Sequence, residues 1–266
     1  MKRVLAWAAC TLLAAGCKAE GIGRIADVLV IDRESGASLP VNFYRGEYWV
    51  AGRPGSRYAI EIRNRSAGRT MAVTSVDGVN VLSGETAAWD QSGYVFAPGE
   101  RYQISGWRKT DAQVAAFVFS GSANSYAERT GRPANVGVIG IALFRERPPQ
   151  PAYTPQEPEA RRAQSAADAQ KAESGAGQLN RISPPAAAQL SAPKLGTAHG
   201  EREYSYVTQT EFARLQSEPN EIIRIHYDSM ENLVAMGVIR RPHWLPNNPN
   251  PFPGSADSSY VPDPPG

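Results

Sequence analysis

From Ile25 to Glu146 the chain carries no long stretch with a helical apolar period, and this decides most of what it can fold into. Arg57–Asn64 alternates cleanly. Tyr58, Ile60 and Ile62 fall on one face, and Arg57, Ala59, Glu61 and Arg63 on the other. A period of two is that of a strand with one wet face. Asp27–Asp32, Pro40–Tyr44, Tyr48–Ala51, Thr70–Val76, Val79–Leu82, Tyr94–Ala97, Tyr102–Trp107 and Gln113–Phe119 read as further short strands. Asp77-Gly78 signals a hairpin turn and Pro98-Gly99 a type II turn. Val136–Phe144 is apolar on both faces, as a central strand is. Residues 24–146 are therefore expected to form a mainly β domain, an antiparallel β-sandwich or barrel. Trp49, Trp89, Trp107, Phe117 and Phe119 are expected to pack in its core or turns, Trp89 being the one of them that lies in a non-strand loop.

Composition changes after this region. Residues 147–195 hold 8 prolines and 12 alanines with almost no large apolar side chain. Such a stretch cannot bury enough surface to offset its ordering entropy, so it reads as a disordered linker. Pattern returns in 196–241, which reads as a small α/β module. Glu203–Val207 is expected as a strand. Thr208–Glu211 (TQTE) resembles a capping box before a short helix carrying Phe212 and Leu215. Glu221–Tyr227 (EIIRIHY) is a strand, with Leu233–Ile239 expected as its hairpin partner. A helix over Ser229–Met236, stopped by Gly237, is the competing reading. A unit this small is marginal alone, so it is expected to dock on the first domain or on a partner. Residues 242–266 form a Pro-rich tail expected to be disordered.

The first seventeen residues, MKRVLAWAACTLLAAGC, address the chain. Lys2 and Arg3 precede an uncharged run that is too short to span a bilayer. Its end, Leu13-Ala14-Ala15-Gly16-Cys17, resembles the lipobox of bacterial lipoproteins. Ala14 stands where that family most often has Leu. The resemblance implies a signal peptide over 1–16, cleavage before Cys17, acylation of the Cys17 thiol, and a short lipidated tether over 17–23. Lys18, in place of Asp, implies the outer membrane, facing the periplasm. The other reading is an ordinary cleaved secretory signal and a soluble periplasmic or secreted protein.

This address alters the remaining arithmetic. Once Lys2 and Arg3 leave, basic and acidic side chains balance at 26 each, so charge gives no argument for nucleic-acid binding. Cys10 leaves as well, and an acylated Cys17 is blocked. The mature chain then has neither disulfide nor free thiol, which rules out thiol catalysis and cysteine-ligated metal.

No other pattern carries chemistry. His199, His226 and His243 lack metal-ligand spacing, and His226 reads as a packed strand residue. Ser120-Gly121-Ser122 reads as a turn rather than a nucleophile elbow. No metal, cofactor or catalytic residue is expected. Glu85, Asp90, Glu100 and Asp111 lie on loops, where binding residues commonly sit. Trp89 and Asp90 in the 84–93 loop, and Arg129 and Arg132 in YAERTGRP, are the candidate contacts to a ligand or partner. Val76–Phe144 and Thr197–Ile239 together resemble an uncharacterised group of proteobacterial exported proteins, which implies export and no stated activity. The expected function is that of a non-enzymatic envelope lipoprotein, held at the membrane by its lipid anchor, that binds or scaffolds an envelope protein. The alternative is an envelope hydrolase of glycan or peptide using Glu85 or Asp90.

Overall fold

The computed structural model describes residues 21–149 and 193–240. The leader with Cys17, nearly all of the Pro/Ala-rich stretch and the Pro-rich tail lie outside the described residues.

Thirteen strands form two sheets. They are β1 (Ala26–Asp32), β2 (Val41–Tyr44), β3 (Glu47–Gly52), β4 (Arg57–Asn64), β5 (Thr70–Val76), β6 (Val79–Asn80) and β7 (Tyr94–Phe96). After these come β8 (Arg101–Ile104), β9 (Gly106–Thr110), β10 (Gln113–Gly121), β11 (Val138–Arg145), β12 (Leu195–Tyr204) and β13 (Glu221–Ser229). Two short helices, α1 (Tyr126–Arg129) and α2 (Met230–Ala235), complete the set. The first sheet runs β1-β4-β10-β12, with β8 beside β4 and β9 beside β10. The second runs β2-β3-β13-β11-β5-β6, with β7 also on β5. All pairings are antiparallel except β3 with β13. The mainly β sandwich expected from the alternating runs is the fold observed.

The alternation explains the core. Tyr58, Ile60, Ile62, Phe117 and Phe119 point inward from the first sheet. Val50, Ile139, Ile141, Leu143, Ile225 and Tyr227 meet them from the second. Trp107 stands edge-on to Phe117 at 5.2 Å between ring centroids. β8 and β9 are one strand bent at Ser105, leaving β4 to join β10. Gly106 permits the bend, since a Cβ there would lie 2.1 Å from the Ala115 carbonyl oxygen.

One polar chain crosses this core. The Tyr227 hydroxyl donates to Asp77 Oδ1 at 2.5 Å. Its proton is thus spent, so the Thr197 hydroxyl, 2.7 Å away, must donate to it. Tyr58, 2.7 Å from Thr197 Oγ1, must then donate to Thr197. Asp77 also accepts from the Gly137 and Thr197 amides, each at 2.8 Å. Every link is buried, and burial pushes the Asp77 carboxyl up and both phenols well above their ordinary value. The turn residues Asp77 and Gly78 do adopt positive φ, 53° and 74°. The Asp77 side chain, however, serves the core rather than the turn alone.

Residues 196–241 contain the expected Glu221–Tyr227 strand within β13, but the expected Glu203–Val207 strand is only the last two residues of β12, and the segment is not a unit beside the sandwich. β12 pairs with β10 along most of its length, and β13 lies between β3 and β11. Both are members of the sheets that 24–146 begin. The expected hairpin partner of β13 is instead α2. Ser229 Oγ accepts from the Asn232 amide at 3.2 Å, capping the helix, and Gly237 at φ 74° ends it. With β3 and β11 on its two sides, β13 has no open edge for a further strand. The expected helix carrying Phe212 and Leu215 is also not formed. Backbone groups there bond across to 145–147 instead: Leu215 N–H to Arg145 O at 2.9 Å, and Arg147 N–H to Ala213 O at 2.7 Å. Phe212 then packs over Met71, Val73 and Phe144 on the outer face of the second sheet, while Leu215 stays exposed.

Candidate functional site

The outward residues of the second sheet form rows set by strand register. Val73, Ala142 and Ile222 make one row, and Ser75, Gly140 and Arg224 the next. Val138, His226 and Trp49 make a third. Small side chains at Ser75, Gly140 and Ala142 leave an open groove of about 410 Å³, with Trp89 and Ile222 at its sides. Gly140 keeps the floor low, since a Cβ there would lie 2.7 Å from Ser75 Oγ. Trp89 is 53% exposed, so it is not packed in a core or turn as expected, and Ile222 is 42% exposed. An exposed tryptophan beside an apolar floor is the arrangement by which proteins hold an apolar or aromatic group of a partner.

The loop that presents Trp89 is held from several directions. Asn80 Nδ2 donates to Gln91 Oε1 at 2.9 Å, and the Ala88 amide donates to the same oxygen at 3.0 Å. Gln91 Nε2 donates to Thr86 O at 3.0 Å. Arg214 lies over the Phe144 ring at 4.2 Å, and its guanidinium donates to Trp89 O at 2.9 Å and Gln91 O at 2.6 Å. Trp89 is thus fixed through its backbone while about half of its surface remains exposed. Sequence reasoning missed Arg214, which lies 125 positions away in a segment with no regular period.

At the far end of the rows His226 stacks on Trp49, with ring centroids 4.7 Å apart. Its Nε2 lies 3.5 Å from Glu47 Oε1. Burial pushes the imidazole below its ordinary value, Glu47 pulls it back up, and Lys194 and Arg224 push it further down.

The other expected contacts are distributed differently. Asp90 is exposed beside Trp89, with no ion pair among the described residues. Glu85 accepts from Gln91 Nε2 at 3.4 Å. Arg132 joins the two candidate loops, since its Nη1 donates to Gly84 O at 3.1 Å. Its guanidinium lies 6.0 Å from the Tyr126 ring, and the Lys109 ammonium lies 5.7 Å from the same ring. Arg129, exposed at the end of α1, takes no part in that grouping. Among the described residues no group of three His, Cys, Asp or Glu side chains is placed to hold a metal. The deeply buried Asp77 is enclosed by its own donors.

Comparison with known proteins returns no matching family model, no matching curated protein and no matching solved structure. What this chain does must therefore be argued from its own residues.

Proposed function

We propose that this chain is a non-enzymatic cell-envelope lipoprotein, anchored through Cys17, that binds or scaffolds an envelope protein on the outer face of its second sheet. The single observation carrying the binding reading is the fixed, exposed Trp89 beside a groove floored by Gly140 and Ala142. An ordered loop that spends several hydrogen bonds on displaying an indole to water is suited to a partner's apolar side chain. Arg224 at the groove adds a charged contact that selects orientation. The anchor rests on the lipobox-like run ending at Cys17 and on nothing else.

Two measurements test the two halves. Mass spectrometry of the N-terminal peptide should find acyl groups on Cys17, and Cys17→Ser or globomycin should release the protein from membranes. A photo-crosslinking residue at Ile222 should trap one protein in intact envelopes. Trp89→Ala should abolish that adduct, and the same crosslinker at exposed Asn124 should not give it. A Trp89→Ala protein that crosslinks as before would overturn the groove as the binding surface.

A further inference from the structure

The chain enters the sandwich beside an unusual edge. Only residues 18–20 separate Cys17 from Gly21, so their Cα atoms lie at most about 14 Å apart. Gly21 to Ile25 are fastened to the body. Ile22 and Val28 exchange backbone hydrogen bonds at 3.0 and 2.9 Å. The Glu221 carboxylate accepts from the Arg24 and Ile25 amides at 2.9 and 2.7 Å. An acyl group on Cys17 would therefore decide which side of the protein faces the bilayer, because the slack is so short.

That side carries the β2–β3 hairpin. Gly21, Arg24, Phe43, Gly46 and Tyr48 line one open cavity of about 780 Å³. β2 is an edge strand. Soluble edges are usually blunted by charge, yet here Phe43 is 67% exposed. It packs only partly, against Tyr48, at 5.2 Å between centroids. At the turn the Arg45 guanidinium lies 5.1 Å from the Tyr44 ring. The Arg24 side chain is 86% exposed, with its Nε 3.7 Å from Glu221 Oε1 and the rest of its guanidinium turned to solvent. Glu47, the acid of the hairpin, lies against His226. Aromatic rings flanked by arginines are the side chains that membrane–water interfaces collect.

We propose that the β2–β3 hairpin is a second membrane contact, with Phe43 and Tyr44 in the interfacial layer and Arg24 and Arg45 against anionic lipid headgroups. It rests on the reading of Cys17 as a lipid anchor. The contact need not be strong, because the anchor makes it intramolecular and a weak site is filled at high effective concentration. Its consequence is orientation. The tether supplies attachment, and the hairpin fixes which face of the sandwich looks away from the lipid.

The mature sequence has no thiol other than Cys17, so single cysteines can be labelled cleanly. The experiment places a nitroxide at Asn42→Cys, beside Phe43, and at Asn124→Cys, beyond the far end of β10. Both are made in the lipidated full-length protein on vesicles containing anionic lipid. The Asn42→Cys label should be relaxed by oxygen in preference to a water-soluble nickel complex, and the Asn124→Cys label should show the reverse. Arg24→Glu and Arg45→Glu should each lower the membrane-contacting population constant by about fivefold or more, and Phe43→Ser should lower it as well. If Cys17 is acylated but the Asn42→Cys label is as open to nickel as the Asn124→Cys label, the hairpin contact is wrong and the anchor stands. If Cys17 carries no acyl group, the anchor reading fails and takes this proposal with it.

Discussion

A chain ending at Glu146 should not fold. Such a truncation keeps every strand that alternates clearly near the N-terminal end, and sequence pattern alone would treat it as a complete sandwich. The structure argues otherwise. Removing 193–240 takes away the buried Leu195, Ile223, Ile225, Tyr227 and Leu233. Each is worth about 2 kcal/mol of burial, or about 10 kcal/mol together. That sum matches the whole stability of an ordinary domain, which is about 5–15 kcal/mol. The cut also opens the middle of the second sheet, since β3 and β11 pair only through β13. Asp77 loses Tyr227 and the Thr197 amide and is left a buried carboxyl short of two donors. The assay is urea unfolding followed by near-ultraviolet circular dichroism and by dispersion of amide proton shifts. Residues 21–146 alone should show collapsed shifts and no cooperative transition. Adding residues 193–240 as a separate polypeptide should restore both. A sharp two-state transition from the truncated chain by itself would refute the reasoning, and 196–241 would then be a detachable module after all.

Other perturbations separate the parts. Tyr227→Phe removes two buried hydrogen bonds, the one donated to Asp77 and the one accepted from Thr197, and should cost about 2–4 kcal/mol in urea unfolding, while Trp89→Ala, being exposed, should change stability by about 0.5 kcal/mol or less. His226 should titrate below 6.5 by NMR, and Glu47→Gln should lower it further, since Glu47 is the charge that raises it. The sign follows from linkage. A depressed folded-state value means the His226 contribution to stability is fully present above about 6.5 and is lost as pH falls through the folded midpoint. Gly140→Val should cost about 1–3 kcal/mol through its clash with Ser75 and fill the groove floor, so that the Ile222 crosslink disappears from a protein that still unfolds cooperatively. Halving the residue count between Arg147 and Pro193 should change stability by only about 0.6 kcal/mol, measured as a urea midpoint.

The parts of the fold legible in the sequence were those where side-chain chemistry repeats with the backbone. Arg57–Asn64, read from its alternation, and Thr70–Val76, read as a further strand, have the expected boundaries. Val138–Arg145 is central because both its faces are apolar. β12 was only partly legible. Leu195-Gly-Thr-Ala-His-Gly has two glycines and no alternation, and its strand state comes from pairing with β10. The choice between hairpin and helix after β13 turned on a fact absent from local sequence, namely that both edges of β13 are taken. Ser229 and Gly237 were the local signals for the helix. At the candidate site, Trp89 stood out because tryptophan is rare in a polar loop. Its floor did not, because Ser75, Gly140 and Ala142 become one surface only through register.

The path of the chain gives these surfaces a common logic. β11 ends at Arg145, opposite Thr70 at the start of β5, and on the same side as Glu221 at the start of β13. β12 begins at Leu195, whose amide bonds to Asp228 near the other end of β13. The 147–195 stretch must therefore carry the chain from one end of the sandwich to the other. β11 is eight residues long, or about 27 Å, so a connection of about ten extended residues would suffice. The observed stretch is several times that length, and loop entropy charges little for the excess. Length beyond need at this position costs the fold almost nothing, provided the two strands it delivers still find their slots. Gly21 and the β2–β3 hairpin lie toward the end where β13 begins, and the groove beside Trp89 opens on the outer face of the same sheet. A protein held at that end would present its groove sideways, parallel to the membrane plane, where a neighbouring envelope protein could reach it without competing with the lipid.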